Sequence, residues 1–298
     1  MTHILTFVAG QKQPLSKNHL KEAANIMVHY DMQETGAPAW LAKNKAADIQ
    51  IPRAPGGVLL AHLRDMLNED KIDLFSTPAN NRRKKLLLAD MDSTIVIGET
   101  LDDLAEHAGI KHQIAAITQK AMEGKLDFHA ALRERVGLLK GLEESALHDT
   151  LVKIQLSPGT KEFVGTMKAH GATCVLVSGG FTFFTQAIAQ QAGFDHHHGN
   201  TLEIAKGVLA GTVAEPILDK HAKVHFLEHY MQTLGIGFDD ALTIGDGAND
   251  IPMLKKSGLG IGYQPKPVVA DAVSNIIVHG DLTAALYVQG YTDKDIRA

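Results

Sequence analysis

Only one residue in 298 is a cysteine, Cys174, and it sits in the apolar run Cys174-Val-Leu-Val177. A single thiol excludes an intramolecular disulfide and suits a reducing compartment; in that setting it reads as buried and inert. Basic residues are also short: 29 lysines and arginines against 34 acidic residues leave a formal charge of -5. The broad basic field that nucleic acid or an anionic membrane surface requires is missing, so a small-molecule substrate is the expected partner. No apolar stretch is long enough to span a bilayer, and the opening Met1-Thr-His-Ile-Leu-Thr-Phe-Val-Ala-Gly10 has no basic segment before its short apolar run. A cytoplasmic protein, partnered by neither membrane nor nucleic acid, is expected. Internal repeats and low-complexity segments are absent too.

What is present is enough apolar residue, 45% of the chain, for a large domain with a small appendage. From Met1 to about Pro78 the pattern gives a short strand, a mixed helix near Lys17 to Tyr30, and a polar middle with Pro38, Pro52 and Pro55. This predicts a small α+β unit over residues 1–80. Ser76-Thr-Pro-Ala-Asn-Asn-Arg-Arg-Lys-Lys85 is polar, then basic, and reads as a solvated linker at the domain boundary. Beyond it, Leu86-Leu-Leu-Ala89, Thr173-Cys-Val-Leu-Val177 and Ala241-Leu-Thr-Ile-Gly245 are short unbroken apolar runs, as strands buried on both faces of a parallel sheet should be. Helical patterns precede the second and third. The prediction for residues 81–298 is an α/β fold with a Rossmann-like parallel sheet, carrying an inserted helical cap at about 99–156.

Each of these strands ends in a polar motif. Asp90-Met-Asp-Ser-Thr94 places Asp90 and Asp92 two positions apart, so that alternation points both the same way. Two such carboxylates suit a metal site with one attacking group and one proton carrier, and equally an Asx-type turn. Ser178-Gly-Gly180 offers a hydroxyl and flexible backbone N–H groups to a phosphate, or an ordinary strand-to-helix turn. Gly245-Asp-Gly-Ala-Asn-Asp250 adds Asp246, Asn249 and Asp250; Asp246 is placed to complete an oxygen-ligand site for a hard cation, and the spacing of a calcium loop is not followed. Lys223 heads Lys223-Val-His-Phe-Leu-Glu-His-Tyr230 and suits either a phosphate site or a solvated helix face. An open parallel sheet gathers three such strand ends into one crevice, and independent turns would not converge in this way.

In their order, Asp90-Met-Asp-Ser-Thr94, Ser178-Gly-Gly180, Lys223 and Gly245-Asp-Gly-Ala-Asn-Asp250 resemble the four motifs of the haloacid dehalogenase superfamily, over about Lys85 to Tyr291. The resemblance implies a Mg2+-dependent phosphatase that works through an aspartyl-phosphate. Asp90 is implied as nucleophile and Asp92 as general acid/base, with Asp90, Asp246 and the Asp92 backbone carbonyl as metal ligands. Ser178 and Lys223 would hold phosphoryl oxygens, and Asp250 would support the metal shell. Within the superfamily the cap is similar to the branch acting on O-phospho-L-serine at the end of serine synthesis. Glu99 matches the partner of the substrate ammonium and Arg135 that of the carboxylate. Gly179 and Asn249 match further substrate contacts, with Met122 and Phe128 as apolar cover and Gly180 as support. A phosphotransferase, or a phosphatase for another small phosphomonoester, would carry the same catalytic motifs. Residues 1–80 resemble in outline the small regulatory domains of bacterial members, which implies amino-acid sensing or a homodimer contact. His196-His-His198 departs from the family and reads as a surface loop; Ile95-Val-Ile97 is more apolar than the loop after the nucleophile requires.

Overall fold

The computed structural model describes residues 1–10, 13–122 and 126–298, with the side chains of Gln119, Ala121, Met122 and Lys220 outside that description. The chain opens with β1 (His3–Ala9), α1 (Lys17–His29), β2 (Ala39–Ala42), β3 (Ala46–Ile51), α2 (Gly57–Asn68) and β4 (Ile72–Pro78). Its strands form an antiparallel sheet in the order β2-β3-β1-β4. Alternation along β1 sends Leu5, Phe7 and Ala9 into one core with Leu20, Ala23 and Met27 of α1 and Leu59, Leu63 and Leu67 of α2. Val8 faces the other way and joins the core of the remaining chain.

That remainder runs β5 (Leu86–Ala89), α3 (Thr100–His107), α4 (Lys111–Met122), α5 (Phe128–Gly137), α6 (Ser145–Lys153), α7 (Thr160–Ala169), β6 (Thr173–Phe181), α8 (Thr182–Ala192), β7 (His196–Asn200), β8 (Leu202–Ala205) and β9 (Val208–Val213). It continues with α9 (Lys220–Leu234), β10 (Ala241–Gly245), α10 (Ile251–Lys256), β11 (Leu259–Tyr263), α11 (Pro267–Ala270), β12 (Asn275–Ile277) and α12 (Ala284–Val288). Six strands form a parallel sheet in the order β12-β11-β10-β5-β6-β7. Leu87 and Ala89 pack with residues of α7, α8 and α12, whereas Leu86 and Leu88 pack with α9 and α10. With helices on both faces, every β5 side chain is buried, which is why the run has no polar alternation. No helix among the described residues is long and apolar enough to cross a membrane.

The cap helices α3 to α6 leave the sheet after Ile95 and return at Ser157. Val96 bridges Leu156, and the Ser157 N–H donates to Ile95 O at 2.9 Å. Ile95 and Val96 are buried at this hinge, which accounts for their apolar character, while Ile97 is exposed. The hairpin β8–β9, invisible in the sequence pattern, braces the cap: Gly141 N–H donates to Leu209 O and Leu209 N–H to Leu142 O, both at 2.8 Å.

Two expectations need correction. His196-His-His198 is not a loop but most of the edge strand β7, paired with Val175–Val177. Alternation directs His197 to the Thr185 hydroxyl at 3.0 Å, while His198 stacks on Phe226 with ring centroids 3.8 Å apart and bonds the Tyr230 hydroxyl at 2.8 Å. Burial, reinforced by neighbouring imidazoles, pulls His198 down to about 4, so a neutral ring packs there. Nor is the segment before β5 merely a solvated linker. Arg82 grips Asp48 through two nitrogens and donates to Thr6 Oγ1, Tyr287 O and Val288 O, joining the antiparallel sheet to α12. From the same sheet, buried Asp73 accepts the N–H groups of Val278, His279 and Gly280 at 2.8–3.1 Å.

Candidate active site

The strands β10, β5 and β6 are neighbours and parallel, so their carboxyl ends meet in one crevice under the cap. Asp90 leaves β5 at the centre of this group. Lys223, near the start of α9, is only 2% exposed; its Nζ donates to Asp90 Oδ1 and, at 2.5 Å, to Asp250 Oδ1. A solvated helix face is therefore excluded for it. Asp90, Asp246 and Asp250 each offer a carboxylate oxygen within 4.8 Å of the others. Burial, then the charge of Asp250, pushes Asp90 well above the ordinary carboxylate range despite Lys223. Burial pulls the Lys223 ammonium down, but Asp250 and Asp90 outweigh it and hold the group above the ordinary lysine value.

Gly245 and Gly180 make room for this packing. A Cβ on Gly245 would lie 2.4 Å from Asp250 Cγ, and one on Gly180 would lie 3.0 Å from Ser178 Oγ and 3.1 Å from Asp92 Oδ2. The strand β6 continues to Phe181 with a register shift after Val177, so Ser178-Gly-Gly180 lies inside its irregular end rather than beyond it. Asp92 Oδ2 accepts from Ser178 Oγ at 3.1 Å and Oδ1 from the Thr100 N–H at 2.8 Å. Burial raises Asp92 against both bonds. The next residue, Ser93, has φ 55° and ψ 7°, and its hydroxyl donates to Glu99 Oε1 at 2.8 Å.

Asp90, Asp92, Asp246, Ser178, Gly179, Gly180 and Asn249 line one cavity of about 370 Å³ together with Glu99, Phe128 and Arg135 of the cap. Phe128 reaches down so that a Cβ on Gly179 would meet its ring at 3.5 Å. Asn249 Nδ2 donates weakly to Asp250 Oδ1 at 3.4 Å. Arg135 Nε donates to Ala131 O at 3.2 Å; burial holds the guanidinium below its ordinary value, opposed by Asp102 and Glu99. Glu99 keeps an exposed edge, yet burial of its carboxylate in the cleft, then Asp92, raises it to about 7. The placement of Met122 as cover concerns a side chain outside the description; its backbone ends α4.

One charged residue of the cavity was not singled out in the sequence. Lys266 sits just beyond β11, a fourth strand end, and its Nζ lies 3.1 Å from Asp246 Oδ2 while its N–H donates to Asp246 O at 2.9 Å. The available signal was a lysine between two prolines in Gln264-Pro-Lys-Pro267, directly after an apolar strand. Among the described residues the crevice thus sets five carboxylates, Asp90, Asp92, Glu99, Asp246 and Asp250, against Lys223, Lys266 and Arg135. This surplus of negative charge, buried at Asp90, Asp246 and Asp250 and with oxygen donors only, fits a hard divalent cation.

Comparison with known proteins places these features among relatives. The model of haloacid dehalogenase-like hydrolases matches residues 87–255. A phosphoserine phosphatase of Streptomyces coelicolor is 37% identical over 219 residues, 74% of this chain and 53% of that protein. The chain spans between 53% and 62% of the length of the first three curated relatives it matches. A HAD family hydrolase from Salmonella enterica serovar Typhi superposes with a TM-score of 0.86 at 29% identity, covering 98% of this chain and 99% of that one. A phosphoserine phosphatase solved as an analogue of its phospho-aspartyl intermediate gives a TM-score of 0.64 at 38% identity, covering 69% of this chain and 98% of that one.

Proposed function

Because this chain belongs to the haloacid dehalogenase-like hydrolases, we propose that it hydrolyses O-phospho-L-serine to L-serine and phosphate through an aspartyl-phosphate on Asp90. The observation that carries the substrate assignment is the pair Glu99 and Arg135. These opposite charges line the cavity that holds Asp90, and among the described residues they make no ion pair with each other. A ligand with an ammonium, a carboxylate and a phosphate answers both charges and the nucleophile at once. The resemblance to proteins named as phosphoserine phosphatases supports the same reading.

Lys223 engages Oδ1 of Asp90, and Oδ2 has no protein donor among the described residues. Oδ2 attacks phosphorus, and the bond from phosphorus to the serine oxygen breaks as the new bond forms. Asp92, raised by burial, supplies the proton to the departing oxygen. It then takes a proton from the water that opens the acyl-phosphate, releasing phosphate and restoring Asp90. The bonds from Thr100 and Ser178 fix both oxygens of Asp92 for these transfers. Lys223 offsets negative charge beside the nucleophile. We assign Mg2+ to Asp90, Asp246 and the Asp92 backbone carbonyl, with Asp250 supporting that shell through the Gly247 N–H and Lys223. When bound, the ion supplies positive charge next to the phosphoryl oxygens.

We assign catalysis to residues 81–298 and a regulatory or dimerising role to residues 1–80, in a cytoplasmic enzyme whose one cysteine is buried and free. The test is phosphate release by the full chain from a panel of phosphomonoesters, with alcohol acceptors present. Strong preference for L-phosphoserine with transfer to water supports the reading; equal rates across the panel, or phosphorylated alcohols, would overturn it. Titration with serine and the solution mass of the same chain test the role of residues 1–80.

A further inference from the structure

We propose that Ser93 is a positioning residue that sets the preference for an ammonium-bearing substrate by holding Glu99 through its hydroxyl. The inference rests on the reading of Glu99 as the partner of the ammonium. Ser93 lies in the left-handed backbone region at φ 55°, where glycine is at ease and serine is not. Two bonds close the loop it starts: the Ser93 N–H donates to Gly98 O, and Ser93 Oγ donates to Glu99 Oε1, both at 2.8 Å. The strained conformation therefore aims the hydroxyl at one particular carboxylate, six residues along.

Glu99 is the N-cap residue of α3, where a short polar side chain would usually turn to its own helix; the Glu99 side chain makes no such bond. Its carboxylate is held back beside the nucleophile loop instead, and the Thr100 N–H next to it bonds Asp92. Only Oε1 is engaged by the hydroxyl, and Oε2 has no protein donor among the described residues. A long, partly exposed side chain fixed in this way loses less freedom when an ammonium arrives. Substrate preference at Glu99 is thus set from the sheet side of the hinge, by a residue that is not among those lining the cavity.

A glycine at 93 suits the backbone and removes the hydroxymethyl group, whereas an alanine removes the hydroxyl alone and keeps the strain. The experiment measures kcat and KM of the full chain for L-phosphoserine and for 3-phosphooxypropanoate, which lacks the ammonium alone. It compares wild type, Ser93→Gly, Ser93→Ala, Glu99→Ala and the Ser93→Gly/Glu99→Ala double variant. Ser93→Gly should raise KM for phosphoserine about tenfold, the effect of losing a hydrogen bond to a charged group, and leave KM for the other ester in place. In the Glu99→Ala background Ser93→Gly should add nothing, because the two act as one unit. Equal changes with both esters, no change with either, or an additive loss in the double variant would overturn the proposal while the phosphoserine assignment stands. A wild type that does not distinguish the two esters would overturn the reading of Glu99 and this inference with it.

Discussion

Replacing Arg135 by alanine isolates the carboxylate end of the substrate. Its Nε is occupied by Ala131 O at 3.2 Å, and among the described residues the two terminal nitrogens of the guanidinium have no acceptor, which leaves them for a ligand. A fork of two charge-assisted hydrogen bonds is worth about 2–3 kcal/mol after the exchange with water. At about 1.4 kcal/mol per decade this is a fall of roughly 30- to 150-fold in kcat/KM for phosphoserine. Phosphoethanolamine, which lacks only the carboxylate, should lose less than about threefold, the scatter of a contact that is not made. Arg135→Lys should recover part of the loss, since it restores a point charge without the planar fork. Steady-state phosphate release with the two esters reads all three values. If Arg135→Ala lowered both esters equally, Arg135 would be supporting α5 rather than recognising substrate, and the reasoning would fail.

Lys223→Met should lower phosphate release by about 100- to 1000-fold, the cost of removing one preorganised charge donor; a loss under tenfold in single-turnover assays would contradict the role given to it. The ratio of kcat/KM for phosphoserine to that for 3-phosphooxypropanoate should climb as pH rises through about 7 and then level off. The sign follows from Glu99, which is protonated below that value and charged above it, and only the charged form attracts an ammonium; because the phosphate ester titrates in both substrates, a flat ratio would count against Glu99. Arg82→Ala leaves Asp48, 8% exposed, without its two bonds from the guanidinium and with only the Thr6 hydroxyl as a side-chain donor. Breaking a buried pair on one side costs about 3 kcal/mol, which for a chain of this length lowers Tm by about 5 °C; differential scanning calorimetry showing a shift below about 1 °C would refute the seam as a source of stability.

Much of the crevice could be read from the chain because its chemistry sits on short, strongly apolar strands. Leu86–Ala89 is buried on both faces and Asp90 follows immediately, so the strand and its functional end mark each other. The same holds for β10 and Asp246. The partners of these residues were harder to see. Lys266 follows Leu259-Gly-Ile-Gly-Tyr263, where two glycines weaken the strand signal, and its role depends on a carboxylate twenty residues earlier. Ser93 stood within a recognised motif, but its backbone angle and its bond to Glu99 exist only after the loop has closed. Arg82 looked like one charge among several, since Asp48 and Val288 are remote in sequence and nothing local announces them. The three imidazoles of β7 obscured a strand because polar side chains are unusual at a sheet edge that is packed by a helix; Phe226 and Tyr230 of α9 supply the missing apolar and hydrogen-bonding surface.

The central claim is that Asp90 takes the phosphoryl group and that water then hydrolyses the aspartyl-phosphate, with the help of a divalent ion. The most direct measurement is phosphate release from L-phosphoserine by wild type and Asp90→Asn, each with Mg2+ and with chelator. The account predicts release by wild type with Mg2+ alone, and loss of release on chelation or on the Asn substitution. Sustained release by Asp90→Asn, or by chelated wild type, would contradict it.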